Sequence, residues 1–146
     1  MDIVYLVTPL ITWILVGPIK FLINSARTRT WAFNLVGNGG FPSNHSAVVS
    51  SMATLIALRE GMGDPAFGVA VTLAFIVIID ANSLRQHVGK QAAAINRLAA
   101  KIEAGGGNQE APSRPLRERM GHTIVEIAGG LCTGIAIGFG INAFFG

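Results

Sequence analysis

Charge is what this chain is short of. Only 13% of its 146 residues are Asp, Glu, Lys or Arg, about half the share usual in soluble domains, roughly 25%. That excludes an ordinary water-exposed globular domain. Cysteine is scarcer still: Cys132 stands alone inside an apolar run, so there is no intrachain disulfide, and it is expected to be a small packed residue. No basic residue precedes the first apolar stretch, which opens Met1-Asp2 and is too long for the core of a cleaved leader. That stretch is expected to stay as a membrane helix. No nucleic-acid partner and no cofactor are expected.

What the chain has instead is apolar residues, 51% of the total, with a mean hydropathy of +0.52. A bilayer crossing takes about 20 of them in a row. Four segments are candidates, at about 3–23, 42–58, 65–84 and 121–145, with a polar loop at 85–119. The fold expected is all-α, a single integral-membrane domain over 1–146. It is a bundle of about four transmembrane helices with a cytoplasmic helical extension and a flexible loop. The extension is Gln86 to Glu103, whose Ala and Leu spacing suits a helix continuing out of the membrane. The loop is Gly105 to Pro115.

The net charge of +3 is unevenly placed. Ten cations fall in or beside the loops after the first and third spans, from Lys20 to Arg29 and from Arg85 to Arg119. The other side offers Arg59 beside Glu60 and Asp64. Cytoplasmic loops carry the excess of Lys and Arg, so the basic side is expected to be cytoplasmic. The expected location is a multi-pass protein of a bacterial-type inner membrane.

Gly39-Gly40-Phe41-Pro42-Ser43-Asn44-His45-Ser46 is the most informative stretch. Glycines permit turns that other residues resist. Pro42 suits a first helical turn. Ser43 and the free N–H groups behind it make an anion site at a helix start, and His45 can move a proton near neutral pH. Lys20 and Arg27, Asp80 and Arg85, and Glu118, His122 and Glu126 fall at the same membrane face. Ionisable groups at membrane depth usually face a protein interior or a wet cavity. Glu118, His122 and Glu126 have one-turn spacing and are expected to form a stripe on the fourth span. Such a stripe can be an acidic helix cap or a metal site with His45 added; no metal is expected. Asp80 is expected to partner an arginine, and His87 to be solvated. Gly130, Gly134 and Gly138 recur every four residues, a face that permits close helix packing. Packing within the bundle is expected, with a homodimer seam as the alternative.

Read in order, these blocks resemble a known family. Lys20 and Arg27 stand as K-x6-R, Pro42-Ser43-Asn44-His45 is similar to P-S-G-H, and His122 to Glu126 is similar to H-x3-D with Glu for Asp. They resemble the three signatures of the type 2 phosphatidic-acid phosphatase superfamily, which includes the vanadium haloperoxidases. The nearer resemblance is to its small divergent branch, through Gly39–Ala47, Asp80–Arg85 and Glu118–Glu126. Two positions depart from the superfamily pattern. Thr28 replaces a proline, and Leu116 stands where the third signature opens with arginine. Arg85 is the expected substitute, with Arg117 as the alternative.

The resemblance implies a metal-independent phosphatase in which His122 attacks phosphorus to form a phosphohistidine. Glu126 would orient and stabilise its ring, one helical turn away. His45 would protonate the leaving alkoxide and then activate water. Lys20, Arg27, Ser43, Asn44 and Arg85 would bind the phosphate, with Asp80 and Glu118 in support. The expected substrate is a lipid phosphate, with phosphatidylglycerophosphate or phosphatidic acid favoured and polyprenyl phosphate or diphosphate as the alternative. The alternative of another class is a non-enzymatic lipid- or phosphate-binding membrane protein. A vanadate-dependent oxidant is disfavoured, since those relatives are soluble.

Overall fold

The computed structural model describes residues 3–28, 40–105, 114–118 and 120–146, and among them are five α-helices. The side chains of Arg27, Thr28 and Glu103 lie outside that description, as do Arg29, Gly39, Arg119 and most of the Gly-rich connector. Helix α1 is Ile3–Thr28, α2 is Asn44–Arg59, α3 is Pro65–Ile79, α4 is Arg85–Ala104 and α5 is Ile124–Phe145. A single π-helical turn, Asp80–Leu84, joins α3 to α4 without a break. No strand occurs among the described residues.

Among the described residues, three helices are long and apolar enough to cross a membrane: Ile3–Ala26, Pro65–Ile102 and Ile124–Phe145. The expected second span is only the 16-residue α2, short of the roughly 20 residues a bilayer asks for. Its composition explains how it survives there. Ser46, Ser50 and Ser51 are buried, and α2 packs against α1, α3 and α5 at once. Ser50 Oγ donates to the Ser46 carbonyl at 2.8 Å, and Thr12 Oγ1 on α1 donates to Ser51 Oγ at 2.8 Å. Buried hydroxyls are thus satisfied inside the bundle, as burial requires.

The glycine stripe of α5 is consumed within the chain. A Cβ on Gly130 would strike the Ser43 carbonyl, one on Gly134 the Ala47 carbonyl and Ser50 Oγ, and one on Gly138 would lie 2.8 Å from Thr54 Cβ. Contacts that advance together along both helices mean that α2 and α5 run parallel. Their backbones approach because there is no side chain between them. Cys132 is exposed, not packed as expected. Two residues past Gly130, at about 100° per residue, it points away from the α2 seam.

The end of the bundle away from His45 closes with Val4, Leu55 and Ile141. Tyr5 donates to Glu60 Oε1 at 2.5 Å, and Arg59 Nε to Asn142 Oδ1 at 3.2 Å. Among the described residues, Lys20, His45, Asp80, Arg85, His122 and Glu126 lie toward the other end.

Candidate active site

The site begins with two helix starts set side by side. Ser43, not Pro42, borders α2: it is the N-cap, and its hydroxyl accepts from the Ser46 N–H at 3.4 Å and the Ser46 hydroxyl at 3.1 Å. Pro42 is buried one residue earlier. The approach turns at Gly40, whose φ of 95° favours glycine. Ser43 N–H donates to the Glu126 carbonyl at 2.9 Å, tying the first turn of α2 to that of α5. Two parallel helices therefore aim their partially positive ends at one place, where an anion is favoured.

The start of α5 differs from the expectation. The helix begins at Ile124, with Thr123 as N-cap, so His122 precedes it. Glu118, His122 and Glu126 therefore do not form a one-turn stripe. Glu126 completes a capping box: its Oε2 accepts from the Thr123 N–H at 2.9 Å, and Thr123 Oγ1 accepts from the Glu126 N–H at 3.2 Å. Glu118 is elsewhere, with Oε1 accepting from Asn96 Nδ2 at 2.9 Å. The acidic cap is Glu126, not Glu118. Among the described residues no three His, Cys, Asp or Glu side chains gather as metal ligands would.

His122 is positioned from the other direction. Its backbone N–H donates to the Ala81 carbonyl at 3.0 Å, inside the π turn. Gly121, at φ 97°, lets the chain turn there against Gln86. The imidazole is buried, 7% exposed, and its Nδ1 has no hydrogen-bond partner among the described residues. Burial holds its pKa below the ordinary histidine value; Glu126 opposes the shift, while Lys20, His45 and Arg85 reinforce it. His45, exposed on the first turn of α2, presents its ring edge-on, 6.1 Å between centroids at 82°. That spacing is an edge-to-face contact, so the two rings border one site.

The π turn also explains the Asp80–Arg85 block. In an α-helix, residues five apart point about 140° away from each other. The wider turn brings them round, and Arg85 Nε meets Asp80 Oδ2 at 3.4 Å. Both are partly exposed, about 41% and 42%, so the pair is loose enough to open toward an anion. Lys20 is buried on α1 and interacts with Glu126 through charge. The backbone of Arg27 lies in the last turns of the same helix; its side chain is outside the described residues. His87 is exposed on α4.

Sequence reasoning missed two asparagines. Asn24, buried on α1 one turn beyond Lys20, lies against Gly40; its spacing from Lys20 was the available signal. Asn96 on α4 holds the segment before His122. Its Nδ2 donates to the Leu116 carbonyl at 2.8 Å, and its Oδ1 accepts from the Leu116 N–H at 2.8 Å. Gly89, against which the Glu118 carbonyl rests, lets the same segment lie on α4. No local sequence signal marks a contact of that reach.

A helical bundle with three membrane-long helices, and with histidines and cations gathered at one end, defines a multi-pass membrane protein with a polar site at its rim. The chain matches the Divergent PAP2 family over residues 1–137, and it belongs to that family. It is 33% identical over 137 residues to a Bacillus subtilis (strain 168) protein named "Uncharacterized membrane protein YuiD", covering 88% of this chain and 84% of that one. No solved structure matches. Membership places the chain in a phosphatase-related superfamily.

Proposed function

We propose that this protein is an integral-membrane, metal-independent lipid phosphate phosphatase, with phosphatidylglycerophosphate or phosphatidic acid as the favoured substrate. The observation that carries the reading is the pairing of His45 and His122, 6.1 Å apart, before two convergent helix N-termini. Most of the work in phosphoryl transfer is stabilising charge on the equatorial oxygens. The α2 and α5 N-termini, Ser43, Lys20, Arg27 and Arg85 supply that charge.

The reaction runs in two steps. A ring nitrogen of His122 attacks phosphorus, forming a P–N bond, while the P–O bond to the lipid alkoxide breaks. His45 gives its proton to the departing oxygen. Water then attacks phosphorus, His45 takes back a proton, and the P–N bond breaks to release phosphate and neutral His122. Burial favours the unprotonated ring of His122, the form a nucleophile needs. Glu126 remains close enough to interact with the His122 ring through charge, so it favours the cationic phosphohistidine while capping α5. Asp80 holds Arg85, and Glu118 anchors the segment that leads to His122. The amide oxygen of Asn44 is buried without a donor among the described residues; a protonated phosphate oxygen or a glycerol hydroxyl would meet it. The active site is assigned to the cytoplasmic face on the bias of Lys and Arg.

The test is phosphate release from a panel of lipid phosphates, in detergent with EDTA, by the native chain and by His122→Ala. The expectation is release by the native chain that vanadate blocks, and a loss beyond about 10²–10⁴-fold in the variant, the usual scale for one acid–base group. Near-native turnover by folded His122→Ala would remove the phosphohistidine mechanism. No release from any lipid phosphate would turn the reading to a binding protein.

A further inference from the structure

The helix that runs unbroken from Pro65 to Ile102 has 38 residues, about 57 Å at about 1.5 Å per residue. A hydrocarbon core of about 30 Å accounts for little more than half. The remainder is α4, which carries Arg85, Lys90, Arg97 and Lys101 and stands beyond the ionisable rim of the bundle. In a bilayer, lipid would cover the outer face of α3. It does not explain what covers α4.

At about 100° per residue, Leu84, Val88, Gln91, Ile95, Leu98 and Ile102 fall within one stripe about 80° wide. Gln91 is exposed, and the five apolar members are between 40% and 60% exposed. The neighbouring face, with Gly89, Ala92 and Asn96, is the one covered by the 116–121 segment. The stripe is therefore open while its flank is closed.

The spacing along the stripe is four, three, four, three, four, the heptad of a coiled coil. Val88, Ile95 and Ile102 occupy the a positions; Leu84, Gln91 and Leu98 occupy d. β-Branched residues at a with leucine at d favour two parallel strands. Of the positions flanking the stripe, Ala92 is already covered, Ala94 and Ala99 carry no charge, and Arg85, His87 and Lys101 stand toward the two ends. Lys90 and Arg97 point to the opposite side. Two copies of one membrane protein insert with the same sense, so their α4 helices leave the bilayer together and run parallel. The extra residue of the π turn keeps the stripe in line across the membrane boundary. Five residues carry Ile79 to Leu84 in just over one wide turn, and Ile76 and Ile79 are themselves exposed.

We propose that α4 forms a parallel two-stranded coiled coil with α4 of a second copy of this chain, continued into the bilayer along α3. A seam about 10 Å wide along the whole helix covers on the order of 1,000 Å² across two copies, the size a specific interface needs.

The test uses the full chain carrying Cys132→Ala, in native membranes under mild oxidation. Ile95→Cys and Leu98→Cys are expected to give at least ten times more disulfide-linked dimer than Lys90→Cys and Arg97→Cys. Adding Leu98→Glu to Ile95→Cys is expected to abolish the link without lowering the amount of inserted protein. Equal yields at all four positions, or no dimer at 95 and 98, would overturn the proposal. So would quenching of a fluorophore at Ile95→Cys by a lipid-borne quencher, which would place α4 on the bilayer surface. None of these readouts depends on phosphatase activity.

Discussion

The α2–α5 pair and the α3–α4 rod are built on opposite terms. The pair is parallel and seamed by Gly130, Gly134 and Gly138 against α2, with both helix starts tied through Ser43 and Glu126. The rod is nearly uncovered: Ala70 is the only buried residue of α3. Large apolar side chains lie outside on the rod, and small residues lie inside on the pair. In lipid, tails are as apolar as leucine, so close packing and polar contacts hold helices together. The pair therefore fixes geometry, which the site requires, and the rod supplies reach.

The most severe way to break this contrast is Gly134→Leu. Its side chain would overlap the Ala47 carbonyl and Ser50 Oγ, both backed by the packed α2. Overpacking costs about 1–3 kcal/mol and more where backbone blocks relief, so loss of the folded bundle is expected. Gly140 on the same helix has nothing within 4 Å, and Gly140→Leu should leave thermal unfolding in detergent almost unmoved. Equal effects would mean that the α2–α5 seam is not what holds the bundle.

A second contrast sets a histidine of the pair against one of the rod. His45→Ala should lower lipid phosphate hydrolysis by about 10²–10⁴-fold with an unchanged melting profile. His87→Ala, on exposed α4, should do neither. Comparable losses from both would detach the activity from the paired rings.

Asn96→Ala sharpens the place where rod and pair meet. It removes three hydrogen bonds to Leu116 and Glu118, each worth about 0.5–1.5 kcal/mol net and less where exposed. Faster amide exchange over residues 116–122 is expected, with α2 unaffected and a several-fold fall in turnover. Unchanged exchange in that segment would show that Gly89 and the π turn alone hold it.

The smallest effect is in pH. His122 lies below the ordinary histidine value, chiefly through burial. Below about pH 6.5 the unfolded chain takes up this proton before the folded one. Its contribution to stability is therefore full above that pH and declines as pH falls toward the lower folded value. The reactive neutral ring persists in the same window. Modification of His122 by an imidazole-selective acylating reagent should hold its rate to lower pH than modification of free N-acetylhistidine. Coincident profiles would remove the burial argument.

Much of this was legible in the sequence. Apolar runs located α1, α3 and α5, and the expectation that the signature residues meet at one end matches where the described ones lie. The start of α5 was legible too: Thr123-x-x-Glu126 before an apolar run is the pattern of a capping box. The one-turn spacing of Glu118, His122 and Glu126 argued the other way and was misleading. The glycine period announced a close approach but not its partner, because spacing on one helix says nothing of the surface opposite. The π turn left no local sign. Its reason is tertiary, since the Ala81 carbonyl accepts from His122, forty-one residues on. Asn96 was invisible for the same reason.

The brevity of α2 has a mechanical meaning. Sixteen residues measure about 24 Å, several ångströms less than an average hydrocarbon core. A stretch shorter than the local bilayer is accommodated by thinning, at a modest cost per ångström. With α2 set across a bilayer, the membrane would thin around its His45 end. On the proposed function, a lipid headgroup would then reach the rings more readily in a short-chain bilayer than in a thick one.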